Sequence, residues 1–304
     1  MNWEWGGIYL NIEGVWLPII TPFNNGSIDY SSYVKLIDFY ISKGISGIIP
    51  LATTGESPTI EEFEYEELLE KTVEAVNGWI PIFVGHGGNY TEKCIKQLKI
   101  IEKYNVDGIL SVSQYYNLPS QEGIYEHFRK ISEATNLNIV IYNIPYRTGR
   151  NIENETIYKL AELENIIGIK DSCGNLKQSL ELLLNPIEGF SNLTGEDASF
   201  FHHLTLGGAG GILASAHLET KSYLDVFQNI RENNHHDALE KWKKLYPIIS
   251  LLFQETNPAP LKYCLYKQGL IQSPETRLPV TAISPGLKEK LDKLIMPIMD
   301  STRS

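Results

Sequence analysis

Eight short apolar runs recur along residues 15–215 with helix-like segments between them, and this alternation restricts the fold more than any other feature. The runs are VWLPIIT (15–21), GIIPLA (47–52), IPIFVG (80–85), GILSVS (108–113), NIVIYN (138–143), IIGIK (166–170), FSNLTG (190–195) and GGILAS (210–215). Their spacing, mostly about 25 to 35 residues, is near the size of one βα unit. Between them, TIEEFEYEELLEKTVEAV predicts a helix opened by a T-x-x-E capping box at Thr59 and Glu62. TEKCIKQLKIIEKY repeats its apolar positions every three or four residues, as an amphipathic helix does.

The pattern predicts an α/β protein, a (β/α)8 TIM barrel over residues 1–234. An open doubly wound sheet is the rival. It usually carries a glycine-rich nucleotide fingerprint after its first strand, and ITPFNNGSID is not one. After Ile230 the strand pattern stops. ALEKWKKLYPIISLLF, NPAPLKYCLYKQGL and PGLKEKLDKLIMPIM read as helices broken by proline and glycine. Residues 235–304 are therefore expected to form a small C-terminal α-helical domain.

Charge and cysteine usage exclude several functions. A net charge of −11 disfavours nonspecific binding to nucleic acid or an anionic membrane, and no Lys/Arg run suits a nucleic-acid groove. Cys94, Cys173 and Cys264 lack the paired spacing of a zinc or redox site and suit a reducing compartment. No basic residue precedes Lys35, so the start of the chain lacks the charged opening of a signal peptide. No apolar stretch approaches the about 20 residues of a membrane helix. The expected location is cytoplasmic.

Barrel active sites form at the C-terminal ends of the strands, and those ends collect reactive residues here. The second run delivers Thr53-Thr54-Gly55-Glu56-Ser57, the fourth Tyr115-Tyr116-Asn117, the fifth Tyr142 and then Tyr146-Arg147-Thr148-Gly149, and the sixth Lys170. A lysine facing a barrel mouth beside a tyrosine on the next strand is the layout of a Schiff-base enzyme. Desolvation lowers the amine's pKa toward the neutral nucleophile, and the phenol can shuttle protons. Taken singly, each residue has a plainer reading. Lys170 can pair with Asp171 or reach solvent, Tyr142 can be a buried tyrosine with a satisfied hydroxyl, and Thr53 and Thr54 can be cap residues. Arg147 can be a surface arginine, and Tyr115 and Tyr116 can be interface packing. As a set they read as catalytic, with Gly55 permitting an unusual turn beside the threonines.

The other candidates favour structure. Glu56 and the Glu196-Asp197 pair read as helix-start acids. GGAGG (207–211) leads into the eighth run rather than out of it, which suits close packing and not a phosphate loop. His202-His203 and His235-His236 are adjacent pairs that diverge on a helix, so no metal is expected there. Cys173 has no evident base partner.

ATTGES, YYNLPSQEG, IYNIPYRTG, IIGIKDSCGN and NPAPLKYCLYKQGL together resemble the dihydrodipicolinate synthase / N-acetylneuraminate lyase family of pyruvate-dependent class I aldolases. The similarity runs in order from about residue 13 to 295, leaving residues 1–12 as an N-terminal extension. The double threonine, Tyr-Tyr-Asn and Arg-Thr-Gly resemble its synthase branch. The resemblance implies a covalent imine between Lys170 and pyruvate, with no cofactor and no metal. It implies a proton relay of Tyr142, Thr53 and Tyr116, the last from a neighbouring subunit. Thr53 and Thr54 would hold pyruvate's carboxylate, Arg147 that of L-aspartate 4-semialdehyde, and Gly195 and Ile212 would complete the pocket. It further implies a condensation to 4-hydroxy-tetrahydrodipicolinate in lysine and diaminopimelate biosynthesis, by a cytoplasmic homotetramer built as a dimer of dimers.

Two departures stand out. Gln114 replaces a proline common before the tyrosine pair. Ser57, Asn89 and Tyr115 match the family's lysine-feedback pattern, but Glu62 and Tyr65 replace histidines and Lys93 replaces a glutamate. A cation at 93 repels a lysine effector, so feedback is expected to be weak or absent. Two other functions remain from sequence. One is a lyase of the same family that releases pyruvate from a sugar acid or hydroxy-oxo-acid, with less need of Arg147. The other is a catalytically silent barrel, which has no reason to keep Lys170, Tyr142 and Thr53 together.

Overall fold

The computed structural model describes residues 12–301, with side chains through Ile295, so the expected extension lies outside it apart from Ile12. Each of the eight runs contains a strand. These are β1 (Gly14–Leu17), β2 (Gly47–Ile48), β3 (Phe83–Gly87), β4 (Gly108–Val112), β5 (Asn138–Asn143), β6 (Ile166–Asp171), β7 (Ser191–Thr194) and β8 (Gly210–Ile212). All pair in parallel, in the order β2-β1-β8-β7-β6-β5-β4-β3. A parallel bridge between Ile48 and Ile82 joins the two ends. The sheet thus closes into the expected barrel and leaves no open edge.

Alternate strand residues point to opposite faces, which splits the apolar residues into two cores. Trp16, Leu110, Val140, Tyr142, Leu193 and Ile212 fill the barrel interior. Val15, Leu17, Ile109, Ile139, Ile141 and Ile169 pack outward against helices. Strands covered on both faces must be apolar at nearly every position, which is why the runs are unbroken.

One helix follows each strand: α1 (Tyr30–Lys43), α2 (Glu62–Val76), α3 (Thr91–Ile101), α4 (Gln121–Glu133), α5 (Asn154–Leu160), α6 (Leu176–Leu184), α7 (Phe200–Thr205) and α8 (Thr220–Arg231). The capping box of α2 lies two residues beyond its expected place, at Glu61 and Glu64. The Thr59 hydroxyl is engaged elsewhere, donating to the Glu56 carbonyl at 3.0 Å within a short 3-10 turn over Ser57–Thr59.

Three further helices follow: α9 (His235–Leu252), α10 (Ala259–Lys267) and α11 (Pro285–Ser301). α9 runs unbroken through Pro247. Trp242 docks it onto the barrel, with ring centroids 6.3 Å from Phe200, 6.4 Å from Phe201 and 6.2 Å from Tyr223. Among the described residues, no helix is long and apolar enough to cross a membrane.

GGAGG packs closely, as expected from its place ahead of β8. A Cβ at Gly210 would fall 2.1 Å from the Gly14 carbonyl oxygen. Gly210→Ala should therefore lower unfolding free energy by at least about 2 kcal/mol in urea titrations. Gly286→Ala, which meets open space, should lose nothing by the same measurement.

Candidate active site at the strand ends

Strand register assembles the centre of the site. Val112, Tyr142, Lys170 and Leu193 pair in one row across β4 to β7. Lys170 is buried, and its Nζ stands 4.2 Å from the centroid of the Tyr142 ring, a favourable place for a cation. Asp171, the alternative partner read from sequence, instead accepts from the Cys173 N–H at 3.0 Å and from the Ser179 hydroxyl. Among the described residues Lys170 makes no ion pair. Burial drives its pKa down to about 8. Asp197 and Glu196 oppose that shift, and Arg147 adds to it. At pH 7 a group with that pKa is neutral in roughly one molecule in ten, against about one in three thousand for an ordinary lysine.

Burial holds the Tyr142 phenol well above the usual tyrosine range, with the Tyr146 field next in size. It stays protonated and can pass a proton. The buried Ser172 hydroxyl lies close enough to oppose that shift, yet without an aligned hydrogen bond. Gly195 donates its N–H to the Asp171 carbonyl at 2.8 Å. A Cβ there would fall 2.5 Å from Lys170 Cε and 2.2 Å from Ser172 Oγ. Only glycine leaves the lysine stem its room. Ile212 packs in the barrel interior beside Tyr142 and Leu193.

The turn after β2 is a 3-10 turn, Thr53–Gly55, flanked by Leu51 and Glu56 at φ 59° and 55°. The left-handed backbone thus falls on these two residues and not on Gly55. At Gly55 the backbone runs close to β1's end, and a Cβ would sit a tight 3.1 Å from the Ile19 carbonyl oxygen. Gly55 and Glu56 N–H groups bond to Ala52 and Thr53 carbonyls. Those of Thr53 and Thr54 find no acceptor among the described residues, which leaves two donors for an anion. The Thr54 side chain is buried and accepts from Asn257 Nδ2 at 3.0 Å. Glu56 caps no helix with its side chain. Its carboxylate lies 2.5 Å from the Lys262 ammonium, both buried.

A cavity of about 840 Å³ opens above these groups. Thr53, Leu110, Val112, Tyr142 and Arg147 line one part. Glu62, Tyr65, Asn89, Lys93 and Tyr115 line an arm toward α2 and α3. Lys170, Thr54, Gly195 and Ile212 are not among the residues that line the cavity, though Lys170 lies against the ring of Tyr142, which does. Arg147 projects from a single helical turn, Pro145–Thr148, with its guanidinium 5.6 Å from the Tyr146 ring centroid. Tyr116 is not brought into its own chain's cavity. It is 89% exposed at φ 72°, beside exposed Tyr115 and Leu118, the latter at φ 50°. Gln114 is buried, with neither atom of its amide bonded.

Sequence reasoning missed Ser172, Asn257 and the Lys262 partner of Glu56, which only the folded chain brings together. Glu196 was read as a helix-start acid. It stands at the head of a 3-10 turn without a side-chain cap bond, and burial, then the Asp197 field, push its pKa up to about 7. His203 bonds through Nε2 to the Asn192 carbonyl at 2.9 Å. Burial pushes the Cys173 thiol up to about 11, which leaves it a poor nucleophile.

The family model described as the Dihydrodipicolinate synthetase family matches residues 11–297. A 4-hydroxy-tetrahydrodipicolinate synthase 2 of Clostridium acetobutylicum is 58% identical over 286 residues, covering 94% of this chain and 100% of its own. The crystal structure of dihydrodipicolinate synthase from Thermotoga maritima matches with a TM-score of 0.91 at 38% identity, over 94% of this chain and 98% of that one. The enzyme of that name from Aquifex aeolicus gives 0.91 at 34% identity, with the same coverage. Sequence and backbone agree over nearly the whole length, and the chain belongs to the dihydrodipicolinate synthetase family.

Proposed function

We propose that this chain condenses pyruvate with L-aspartate 4-semialdehyde to 4-hydroxy-tetrahydrodipicolinate, in lysine and diaminopimelate synthesis. The observation that carries the reading is the desolvated Lys170 amine against the Tyr142 ring, beside a cavity with anion-binding groups. The 58% identity to a synthase supports it.

The neutral Lys170 amine attacks C2 of pyruvate to form a carbinolamine, and loss of water gives the imine. Thr53 and Thr54 N–H groups hold the carboxylate. Tyr142 and Thr53 move the protons that this step requires. A proton leaves C3 to give the enamine, which attacks the aldehyde carbon while Arg147 holds the second carboxylate in its fork of donors. The amine of the incoming substrate then displaces Lys170 from the imine carbon, closing the ring and freeing the lysine. The imine itself is the electron sink, so no external cofactor takes part. Tyr116 completes the relay from a second copy of the chain. Exposed Tyr90, Tyr115, Tyr116, Leu118 and Tyr146 support a subunit contact near the mouth, within a tetramer.

Borohydride reduction with pyruvate should attach one pyruvate-derived group to Lys170, read by mass spectrometry, and Lys170→Ala should carry none. Because the folded pKa is about 8, the trapping rate should rise about tenfold per pH unit below that value and level off above it. A second test is the aldehyde assay. Arg147→Ala should raise the half-saturating aspartate semialdehyde concentration by about 100-fold, with pyruvate trapping little changed. Turnover of sialic acid or 2-keto-3-deoxygluconate in place of the semialdehyde would move the chain to the lyase branch. With Lys93 on the cavity arm, millimolar L-lysine should leave the rate within about twofold of its uninhibited value. Strong inhibition below a millimolar would refute this.

A further inference from the structure

A buried charge cluster reaches the cavity wall at Glu56, and the chemistry above makes no use of it. Lys262, on α10, is fully buried. Its Nζ lies 2.5 Å from Glu56 Oε1, 2.9 Å from the Glu275 carbonyl and 4.1 Å from the Phe23 ring centroid. Arg277 covers the other side of the cluster. Its backbone N–H donates to Glu56 Oε2 at 3.0 Å, and its guanidinium grips Glu64 through two bonds. Glu56 is thus held by two groups from the C-terminal region.

Glu56 is also the residue whose φ of 55° ends the Thr53–Gly55 turn, and its N–H closes that turn onto the Thr53 carbonyl at 3.1 Å. Asn257 fixes Thr54 from the same region. A bare lysine this deep would be costly, and so would a bare glutamate. Each needs the other, and together they fix where the two free N–H groups point.

We propose that Lys262, through Glu56, is a positioning residue for the pyruvate-carboxylate site, so that the C-terminal helices set the geometry of the barrel mouth. The inference rests on the proposed imine chemistry and adds a residue to it. A pair that only stabilised the fold would change melting temperature and leave the pyruvate affinity of folded protein alone. A positioning pair changes that affinity, because displaced donors no longer meet the carboxylate.

The test is the pyruvate concentration giving half-maximal borohydride trapping on the full chain, with folding followed by circular dichroism. Lys262→Met should raise it about tenfold. Glu56→Gln keeps the side-chain shape and an acceptor for the Arg277 N–H, and it leaves Lys262 its bond to the Glu275 carbonyl, so it should fold even if Lys262→Met, which strands a buried carboxylate, does not. It should move the value in the same direction by a smaller factor. If the unsubstituted protein traps pyruvate and folded Glu56→Gln and Lys262→Met trap it at the same half-saturation, this inference is overturned alone. If the unsubstituted protein traps nothing, the imine reading falls and takes this inference with it.

Discussion

The pairing of β5 with β6 governs the site, because it sets a phenol and an amine side by side in a place water barely reaches. Side chains alternate along a strand, so a one-residue slip would turn Lys170 outward into the helices and bring Ile169 inward. Seven parallel pairings and a closing bridge make such a slip expensive for the whole barrel. The proposed chemistry therefore inherits its precision from backbone hydrogen bonds that have no chemical role themselves.

Within that frame the amine is balanced between opposing fields. Burial and Arg147 favour the neutral form, while Asp197 and Glu196 favour the charged one. The outcome suits the proposed chemistry, in which this amine attacks uncharged and then carries positive charge as an iminium. A deeper, purely apolar site would supply a better nucleophile and a poorer cation. The acids after β7 prevent that extreme. Asp197 is fixed in turn by accepting from the Ser215 N–H at 2.7 Å, so its field is aimed and not free to wander.

Much of this was legible in the sequence, and the limits have physical causes. All eight strands could be read because burial on both faces forces continuous apolar runs. The meeting of Lys170 and Tyr142 could be read because both stand at strand ends, where such barrels build their sites. The start of α2 was displaced because Thr59 has two possible partners and takes the carbonyl of Glu56. α9 continues through Pro247, where docking through Trp242 outweighs one missing backbone bond. The contact of Asn257 with Thr54 spans 203 residues, and no local pattern encodes it. The same holds for the two acceptor atoms of Glu56, each claimed by a distant cation or amide.

Leu51, Glu56, Tyr116 and Leu118 all hold a left-handed backbone around the opening of the barrel, and none is glycine. Each such residue costs on the order of 1 kcal/mol relative to its relaxed form. The rim is therefore a spring held compressed by the rigid wall beneath it. Selection for a tougher barrel would tend to release that tension by introducing glycines, and would slacken the lip that receives the reactants. Hardiness and aim are set against each other in these four residues.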